Sequence, residues 1–331
     1  MQRLASCVLL ALTSTACVRW SPPVMSPSAA GSCRSGSLRW IAPADPEERK
    51  RLDSWCRGVG QAVVEWAPFN DRVPALGEIT FVSWNVHVGN GDIRAFVKDL
   101  RAGLHTDNRK VGHFVMMLQE AVRTEGVPPF VDGASGAARI QAHIGGTIDI
   151  IQISQELGLS LIYVPSMRNG SSVEDPPADR GSAILSTVPL SEPVAVELPA
   201  ERQRRVLVFA KLADLSIGVI HLDALGGAKR LWIFFTPWLR EVQVRSAEAL
   251  LKDGPLVLGA DLNTWHGIDE QAVRFLKKLG RPTPVSLERH GSGLRVLDYL
   301  FFRAGDGRRA HYRQLARRYG SDHRPLVGWI E

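Results

Sequence analysis

The chain has 331 residues, 45% of them hydrophobic and 22% charged, which is the composition of an ordinary globular protein with one large domain or two small ones. A formal net charge of +6 favours anionic partners, without distinguishing nucleic acid, acidic phospholipid and small phosphate esters. No apolar run reaches the ~18 residues that cross a bilayer, so any membrane attachment would be through a lipid or through surface contact.

The first 17 residues have the pattern of an export signal. Arg3 supplies a positive charge, an apolar stretch follows, and small residues at 14–16 precede Cys17. Small residues before a cysteine also resemble a bacterial lipobox, in which Cys17 would be acylated, although Ser14 stands where that motif prefers leucine. A frayed apolar terminus is the alternative. We expect an exported protein, either lipid-anchored or periplasmic in a bacterial cell envelope, or secreted.

The next two segments are expected to stand outside the main domain. Residues 18–45 are rich in Ser, Pro, Gly and Ala, which predicts a flexible tether, and 46–76 are predicted to be a helical N-terminal extension. Apart from Cys7 and Cys17, the cysteines are Cys33 and Cys56. An oxidising compartment would let this second pair form a disulfide; two unrelated reduced thiols are the alternative.

Residues 77–331 alternate short strand patterns with amphipathic helices and are expected to form the main domain. Strands are predicted at 79–87, 113–118, 160–164, 182–185, 205–212, 215–221, 256–261, 294–302 and 325–330. Helices are predicted after Asp92, with Leu104 on the apolar face, after Thr147, and around 240–251 and 269–279. This order indicates two packed sheets covered by helices, or an open doubly wound sheet.

Polar side chains stand where these apolar strands end. They are Asn85, Gln119, Glu120, His221, Asp261, Asn263, Asp298, Asp322 and His323. Each alone has an ordinary explanation, because Asp or Asn after a strand usually caps a turn and a single His usually packs. As a set they predict a functional site, since such sites gather at strand ends.

Seven motifs, six of which contain these residues, occur in order between residues 79 and 331: SWNVH, LQE, DRGSAILS, HLD, GADLNTW, LDYLFF and SDHRPL. Together they resemble the endonuclease/exonuclease/phosphatase superfamily, in its deoxyribonuclease, sphingomyelinase and inositol phosphatase branches. The resemblance implies an α/β (α+β) fold, a four-layer α/β/β/α sandwich of two mixed β-sheets covered by helices. It further implies that 77–331 is a catalytic domain with its site at one edge of the sandwich.

The activity implied is metal-dependent hydrolysis of a phosphoester. Because the ester is an anion that repels a nucleophile, the reaction needs a cation on the phosphoryl oxygens. Glu120 and Asn85 offer the hard oxygen ligands that Mg²⁺ prefers, and Asp322 could complete the shell. Mn²⁺ and Ca²⁺ are the alternative ions.

The resemblance also implies catalytic roles. Asp261 would orient or deprotonate the attacking water, and Asn263 would hold a phosphoryl oxygen. His323 would donate to the phosphate, with Asp298 fixing its tautomer. His221 would stabilise developing charge or protonate the leaving oxygen. The sequence leaves open which residue is the general acid.

Two positions depart from the abasic-site endonucleases of this family. Those enzymes carry an acidic residue where this chain has His87, and a tyrosine where it has His221. The repair branch is therefore disfavoured. Gly181 is followed by Ser182, where the family usually has Asn.

Arginines and aromatic residues supply further candidates. The segment between LDYLFF and SDHRPL contains six arginines, Arg303, Arg308, Arg309, Arg313, Arg317 and Arg318. We expect Arg308 and Arg309, with Arg180 of the DRGS motif, to bind substrate phosphate, and a solvated face is the alternative. Weaker candidates are Arg168, Arg204 and Arg205. The segment RLWIFFTPWLR is expected to pack in the core, or to form a membrane-facing loop interrupted by Pro237.

These observations predict a phosphodiesterase with nuclease-like activity. The alternatives are a sphingomyelinase-like phospholipid phosphodiesterase, an inositol-phosphate or nucleotide phosphatase and, least favoured because no motif is missing, a catalytically dead phosphate-binding module. The expected partners are the phosphate-ester substrate, nucleic acid or a phospholipid headgroup, and a membrane through the lipid anchor. No obligate protein partner is inferred.

Overall fold

The computed structural model describes residues 22–28, 33–69, 72–130, 148–170, 172–200, 203–224, 232–265, 267–282, 296–305 and 307–331. Its strands are β1 Met25–Pro27, β2 Arg39–Pro43, β3 Val63–Glu65, β4 Ile79–Asn85, β5 His113–Arg123, β6 Ser160–Asn169, β7 Ala178–Ser186, β8 Ser191–Leu198, β9 Arg205–Leu212, β10 Leu215–His221, β11 Leu256–Asp261, β12 Arg281–Pro282, β13 Asp298–Arg303, β14 Ala310–Gln314 and β15 Leu326–Ile330. Its helices are α1 Pro46–Cys56, α2 Ile93–Arg101, α3 Ile150–Leu157, α4 Trp232–Ser246, α5 Glu248–Leu251 and α6 Gln271–Leu279.

The strands form two sheets, which excludes a single open sheet. One has eight strands in the order β1-β2-β8-β9-β10-β11-β13-β12, and the other has seven in the order β14-β15-β4-β5-β7-β6-β3. Both are mixed: β10 is parallel to β11, and β4 is parallel to β5, while β13 and β15 add antiparallel neighbours.

Alternate residues of the strands face different apolar layers. In β4, Phe81 lies in the layer between the sheets, whereas Val82 lies in the layer that also contains residues of α2 and α3. On the far side of the eight-stranded sheet, Val244 of α4 and Val273 of α6 pack in one cluster with Leu258 of β11. The layers therefore run helix, sheet, sheet, helix, and the expected four-layer sandwich is confirmed.

Helix α2 begins as predicted. The side chain of Asp92 accepts the backbone N–H of Ala95 at 2.9 Å, and four side chains on one face are buried, Ile93, Phe96, Val97 and Leu100. Leu104 was expected on this face but is 61% exposed. That prediction is wrong because the helix ends at Arg101 and Gly103 turns the chain away with a φ of +85°.

Helix α3 is capped by Asp149, whose side chain accepts the N–H of Ile151 at 2.8 Å. The predicted cap, Thr147, lies outside the described residues, as do residues 294 and 295 of a predicted strand. The sequence patterns did not indicate β8 and β14. In β8 the first residues are exposed, and β14 is an edge strand without a fully buried residue, so their apolar alternation is weak.

The segment expected to be a tether contributes to the sandwich. Strand β2 pairs in parallel with β8, Arg39 opposite Val194, and β1 pairs with β2. Trp40 is buried between the two sheets. The helical extension likewise holds one helix, α1, followed by β3, which pairs with β6. The expected flexible tether and the expected helical extension are therefore corrected where these strands form. Burial of Trp40 and pairing of β3 with β6 stabilise ordered strands despite the Pro, Gly and Ser content of the sequence.

Cys33 and Cys56 form a disulfide with Cα atoms 4.9 Å apart, as predicted. The bridge joins the segment before β2 to the end of α1, where both cysteines are buried beside Val59. The signal pattern, including Cys17, lies outside the described residues. None of the helices in the described ranges is long and apolar enough to cross a membrane.

The aromatic segment belongs to helix α4, with Pro237 inside the helix, so a membrane-facing loop is not what the chain forms here. Leu239 is buried, and Trp238 is 44% exposed. The side chains at 232–235 lie outside the described part.

Candidate active site

The site forms at one end of the layer between the two sheets, where the inward-facing positions change from apolar to polar. In β10 the inward residues are Ile217 and Val219, and the next in this alternation is His221. In β11, Val257 is followed in the same alternation by Asp261. Pairing sets these ends side by side, with His221 opposite Asp261 and Asp261 opposite Asp298.

Asp261 lies at the centre of the site and is 1% exposed. Its Oδ2 accepts a hydrogen bond from Nδ2 of Asn85 at 2.8 Å, which joins the two sheets. The same oxygen lies 3.5 Å from Nε2 of His221 and 4.0 Å from Nε2 of His323. Burial raises the pKa of Asp261 to about 6, with the imidazole of His323 opposing the rise and the charge of Asp298 adding to it.

His323 and Asp298 form a hydrogen-bonded pair. Nδ1–H of His323 donates to both carboxylate oxygens of Asp298, at 3.0 and 2.9 Å. Burial alone would lower the pKa of His323, but the carboxylates of Asp298 and Asp261 outweigh it and raise the pKa to about 10. His323 is therefore an imidazolium at neutral pH, with Nε2–H on the side of Asp261.

His221 has the opposite protonation state. Nη1–H of Arg205 donates to its Nδ1 at 3.2 Å, so the ring proton is on Nε2, which lies towards Asp261. Burial lowers the pKa of His221 well below its ordinary value of 6.5, and the guanidiniums of Arg205 and Arg180 lower it further. The site thus holds one neutral and one charged imidazole around a single carboxylate.

Asn263 fixes the loop after β11. Its backbone N–H donates to Oδ1 of Asp261 at 3.0 Å, and its Nδ2–H donates to the carbonyl of Leu222 at 3.0 Å. Its φ is +50°, a left-handed conformation that Asn adopts more readily than most residues. The loops after β10 and β11 are therefore held together directly above the site.

A buried ion pair supports the same two loops from the helix layer. Arg240 of α4 donates to both carboxylate oxygens of Glu270 at 2.9 and 2.7 Å, and to the carbonyl of Asp223 at 3.2 Å. Glu270 in turn accepts the N–H of Trp265. The sequence patterns did not predict this ion pair. The signal that could have indicated it is Arg240, the arginine at the end of the aromatic segment.

The three predicted metal ligands lie at this edge. Asn85 pairs with Gln119, so Glu120 follows beside it at a β-bulge, with a left-handed φ of +56°. The carboxylate of Glu120 has no hydrogen-bond or ion-pair partner within the described residues. Asp322 is half-exposed, and its Oδ1 lies 3.2 Å from Nδ1 of His87.

These residues fit a hard divalent ion. A carboxylate that forms no hydrogen bond or ion pair within the described residues is available as an oxygen ligand, and the amide oxygen of Asn85, which accepts the N–H of His87 at 2.9 Å, has a second lone pair. Ligand atoms of Asp261, Asp298 and His323 also lie within 4.8 Å of one another, but the hydrogen bonds between His323 and Asp298 already occupy that group.

The loop that carries Asp322 and His323 is bonded to the end of β4. Oγ–H of Ser321 donates to the carbonyl of Asn85 at 2.7 Å and accepts the N–H of His323 at 3.0 Å. Gly320 precedes it with a φ of +88°, and a Cβ there would come within 2.7 Å of the carbonyl oxygen of Asn90. Ser321 thus holds the loop that carries His323, and in the sequence it stands out only as part of the SDHRPL motif.

Two arginines reach the site from neighbouring strands. Arg180 of β7 is 2% exposed, its Nε has no hydrogen-bond partner, and no carboxylate of the described residues pairs with it. Arg205 of β9 is 3% exposed and donates to His221 and, at 2.7 Å, to Gln203. A buried guanidinium without a counter-ion is costly, so the polar end of this layer suits an anion. Arg205, a weaker candidate in the sequence, is central here.

Arg308 and Arg309 lie elsewhere, and the expectation that they flank the site is wrong. They precede β14, whose first residue, Ala310, pairs with Ile330 near the start of β4. Asn85 is at the other end of β4, ~20 Å away at ~3.3 Å per residue. Strand β13 carries the chain away from the site, from Asp298 to Arg303, and β14 returns it towards the site before SDHRPL.

The other arginines of that segment bind neighbouring parts of the chain. Arg303 donates to the carbonyl of Leu251 at 2.8 Å, and Arg313 pairs with Asp107 at 2.7 Å. Arg318 donates to the carbonyl of Asp322 at 2.7 Å. They therefore stabilise local structure around β13 to β15.

No protein-family model matches the sequence, and no curated protein does either. Solved structures do match. An endonuclease/exonuclease/phosphatase from Beutenbergia cavernae is 18% identical over 76% of this chain and 71% of its own, with a TM-score of 0.49. A 3′ phosphatase from Neisseria, bound to a product DNA hairpin, is 14% identical over 76% and 99%, with a TM-score of 0.46. Sphingomyelinase C from Streptomyces griseocarneus is 14% identical over 76% and 98%, with a TM-score of 0.39. Structures of the superfamily that the motifs resemble are thus among the matches, and at these identities the likeness concerns the fold alone.

Proposed function

We propose that this chain is a divalent-metal-dependent phosphoester hydrolase, and that it acts as a phosphodiesterase with nuclease-like activity. One observation carries the proposal: the hydrogen-bonded pair of His323 and Asp298 faces the buried carboxylate of Asp261, with the neutral imidazole of His221 on its other side. A base, a charged donor and a neutral donor around one point are the groups that hydrolysis of an anionic ester requires.

In the proposed reaction a water oxygen attacks phosphorus and the bond from phosphorus to the ester oxygen breaks. Asp261 accepts the proton of the attacking water, which its carboxylate form can do above the pKa of about 6. The imidazolium of His323 donates Nε2–H to the leaving oxygen, and Asp298 stabilises its charge. The pKa of Asp261, about 6, and the pKa of His323, about 10, lie on either side of neutral pH, as such an assignment of base and acid needs.

The remaining polar groups bind the phosphoryl group. Nε2–H of His221 is a neutral donor, so it supplies a hydrogen bond to a phosphoryl oxygen rather than a proton. The guanidinium of Arg180, which pairs with no carboxylate of the described residues, is the second anion ligand, and Arg205 fixes the tautomer of His221. Asn263 keeps its role as a phosphoryl ligand through its amide, while also holding the loop.

Asn85, Glu120 and Asp322 would hold the metal ion. Mg²⁺ suits their oxygen ligands, with Mn²⁺ or Ca²⁺ as substitutes. A bound ion would neutralise charge on the phosphoryl oxygens of the substrate. Asn85 then has two tasks, because its amide nitrogen holds Asp261 while its amide oxygen is available to the ion.

The proposal of nucleic acid as the substrate rests on the net charge of +6. Arg308 and Arg309 do not support it, because they lie at the end of the sheet opposite to the site. Supercoiled plasmid DNA, RNA, sphingomyelin vesicles and inositol phosphates, each with Mg²⁺, Mn²⁺ or Ca²⁺, test the substrate class. Cleavage of a polynucleotide is expected. Release of inorganic phosphate from inositol phosphates alone, or phosphocholine from vesicles alone, would contradict the nuclease assignment, and no activity of wild type on any of them would contradict the hydrolase.

We also propose that the chain is exported and lipid-anchored at Cys17. The leader pattern and the buried disulfide between Cys33 and Cys56 support this location. Replacing Cys17→Ser should move the protein from the membrane fraction to the soluble fraction of its host. An unchanged distribution would contradict the anchor.

A further inference from the structure

Tyr319 lies in the loop that joins β14 to β15 and carries Asp322 and His323, yet its side chain is on the other side of the sheet from the site. It is 5% exposed and packs in the apolar layer that contains residues of α2 and α3, not in the layer between the sheets. Its φ is +52°, which is uncommon for a bulky residue and persists only where surrounding contacts hold it.

Four contacts hold this residue. Its hydroxyl donates to Oδ2 of Asp99 at 2.8 Å and accepts Nε2–H of His105 at 2.6 Å. Its ring meets Phe96 edge to face, with centroids 5.4 Å apart. Its carbonyl accepts the N–H of Asp92 at 2.6 Å. Asp92 caps the start of α2, and Asp99 lies in its last turn, so the loop is bonded along the length of that helix.

The loop is stiff between Tyr319 and the catalytic pair. Gly320 lies against the carbonyl of Asn90, and Ser321 bonds both to the carbonyl of Asn85 and to the N–H of His323. A displacement of Tyr319 is therefore transmitted over four residues to His323.

We propose that Tyr319 is a positioning residue, whose hydroxyl fixes the loop to α2 through Asp99 and His105 and thereby sets the location of the His323 imidazole. This role rests on the proposed function, because it acts through His323. A phenylalanine would fill the same apolar space without burying a hydroxyl. Apolar packing therefore does not account for the hydroxyl of Tyr319, whereas fixing the loop to α2 through its two hydrogen bonds does.

The test compares Tyr319→Phe with Arg94→Gln. Tyr319→Phe keeps the ring and should lower kcat by about tenfold, with KM and melting temperature nearly unchanged, because a small displacement of a catalytic group is costly. Asp99→Ala should have a similar effect, and the double variant should be no worse than the stronger single one. Arg94 also lies on α2, but its half-exposed side chain pairs with Glu156 and has no contact with the loop among the described residues, so Arg94→Gln should leave kcat unchanged.

Amide hydrogen exchange supplies a readout that does not depend on activity. Tyr319→Phe should speed exchange over 318–323 while leaving the strands of both sheets protected. Normal kcat in Tyr319→Phe beside a strong loss in His323→Ala would overturn the positioning role and leave the hydrolase intact. Full activity in His323→Ala would instead overturn the proposed function, and unchanged exchange in the loop would overturn the positioning role whatever the activity.

Discussion

Nη1 of Arg205 donates a hydrogen bond to Nδ1 of His221 at 3.2 Å, and both side chains are buried at the end of the layer between the sheets. The bond requires an unprotonated Nδ1, so it selects the tautomer with its proton on Nε2. The arginine therefore places the ring proton of His221 on Nε2, the atom that faces Asp261.

Replacing Arg205→Gln should lower kcat by ~10-fold or more, because His221 would no longer be restricted to one tautomer. Steady-state kinetics on the best substrate measures this. Lys211→Gln is the matched control, since it removes a positive charge from the far end of the same strand, where Nζ of Lys211 donates to Oγ of Ser216. Equal kcat for wild type and Arg205→Gln would remove Arg205 from the mechanism.

Arg180→Gln should raise KM by ~10-fold to 100-fold, because a charge-assisted contact to phosphate is lost. Inhibition by inorganic phosphate should weaken in parallel. Arg308→Gln removes a charge at the opposite end of the sheet and should change KM little at moderate ionic strength. Similar KM values for both variants would show that phosphate binds elsewhere.

Glu120→Gln should weaken metal binding by ~10-fold or more while leaving the melting temperature of the apoprotein nearly unchanged, since its carboxylate forms no hydrogen bond or ion pair among the described residues. Titration with Mn²⁺, following the free ion by electron paramagnetic resonance, measures the affinity directly. Glu125→Gln, an exposed change on the turn after the same strand, is the control. Wild-type Mn²⁺ affinity in Glu120→Gln would exclude Glu120 as a ligand.

Much of the fold followed from alternation of apolar residues, because strands such as β4 and β10 are buried throughout and end in polar side chains. The same reasoning failed for β1 to β3. These strands are short, and their pairing with β8 and β6 depends on partners more than 90 residues away, which local composition does not reveal.

Some residues of the candidate site could likewise be predicted from the sequence, and others could not. Asn85, His221, Asp261, Asp298 and His323 could be predicted because each ends an inward-facing strand or lies in a motif that returns to it. Arg205 and Tyr319 act through their neighbours, and Arg308 was misjudged because distance along the chain does not give position across a hairpin.

Acid stability should depend on Glu197, which is fully buried between Arg34 and Arg204. Burial alone would raise the pKa of Glu197, but the two guanidiniums lower it overall, below its ordinary value of 4.5. A lowered folded-state pKa contributes stability above the unfolded-state pKa, and this contribution is lost as pH falls through the folded-state value.

Glu197→Gln should therefore lower the free energy of unfolding by ~3–5 kcal/mol at pH 7 and flatten its decline below pH ~4.5. Urea denaturation at pH 7 and pH 4 measures both effects. Asp269→Asn, which affects an exposed pair with Arg274, should change stability by less than ~0.5 kcal/mol. A Glu197→Gln variant with the stability and acid dependence of wild type would contradict the role of this ion pair.

The central claim, that His323 and Asp298 act as one catalytic unit, is tested most directly by a double-mutant cycle on kcat. Asp298→Asn should lower kcat by ~10² or more with the fold and metal affinity nearly intact, because the imidazolium loses its carboxylate. His323→Ala should lose at least as much, and the double variant should be little worse than His323→Ala, since residues that act as a unit are not additive. Fully additive losses would mean that Asp298 works elsewhere, and wild-type kcat in His323→Ala would contradict the account.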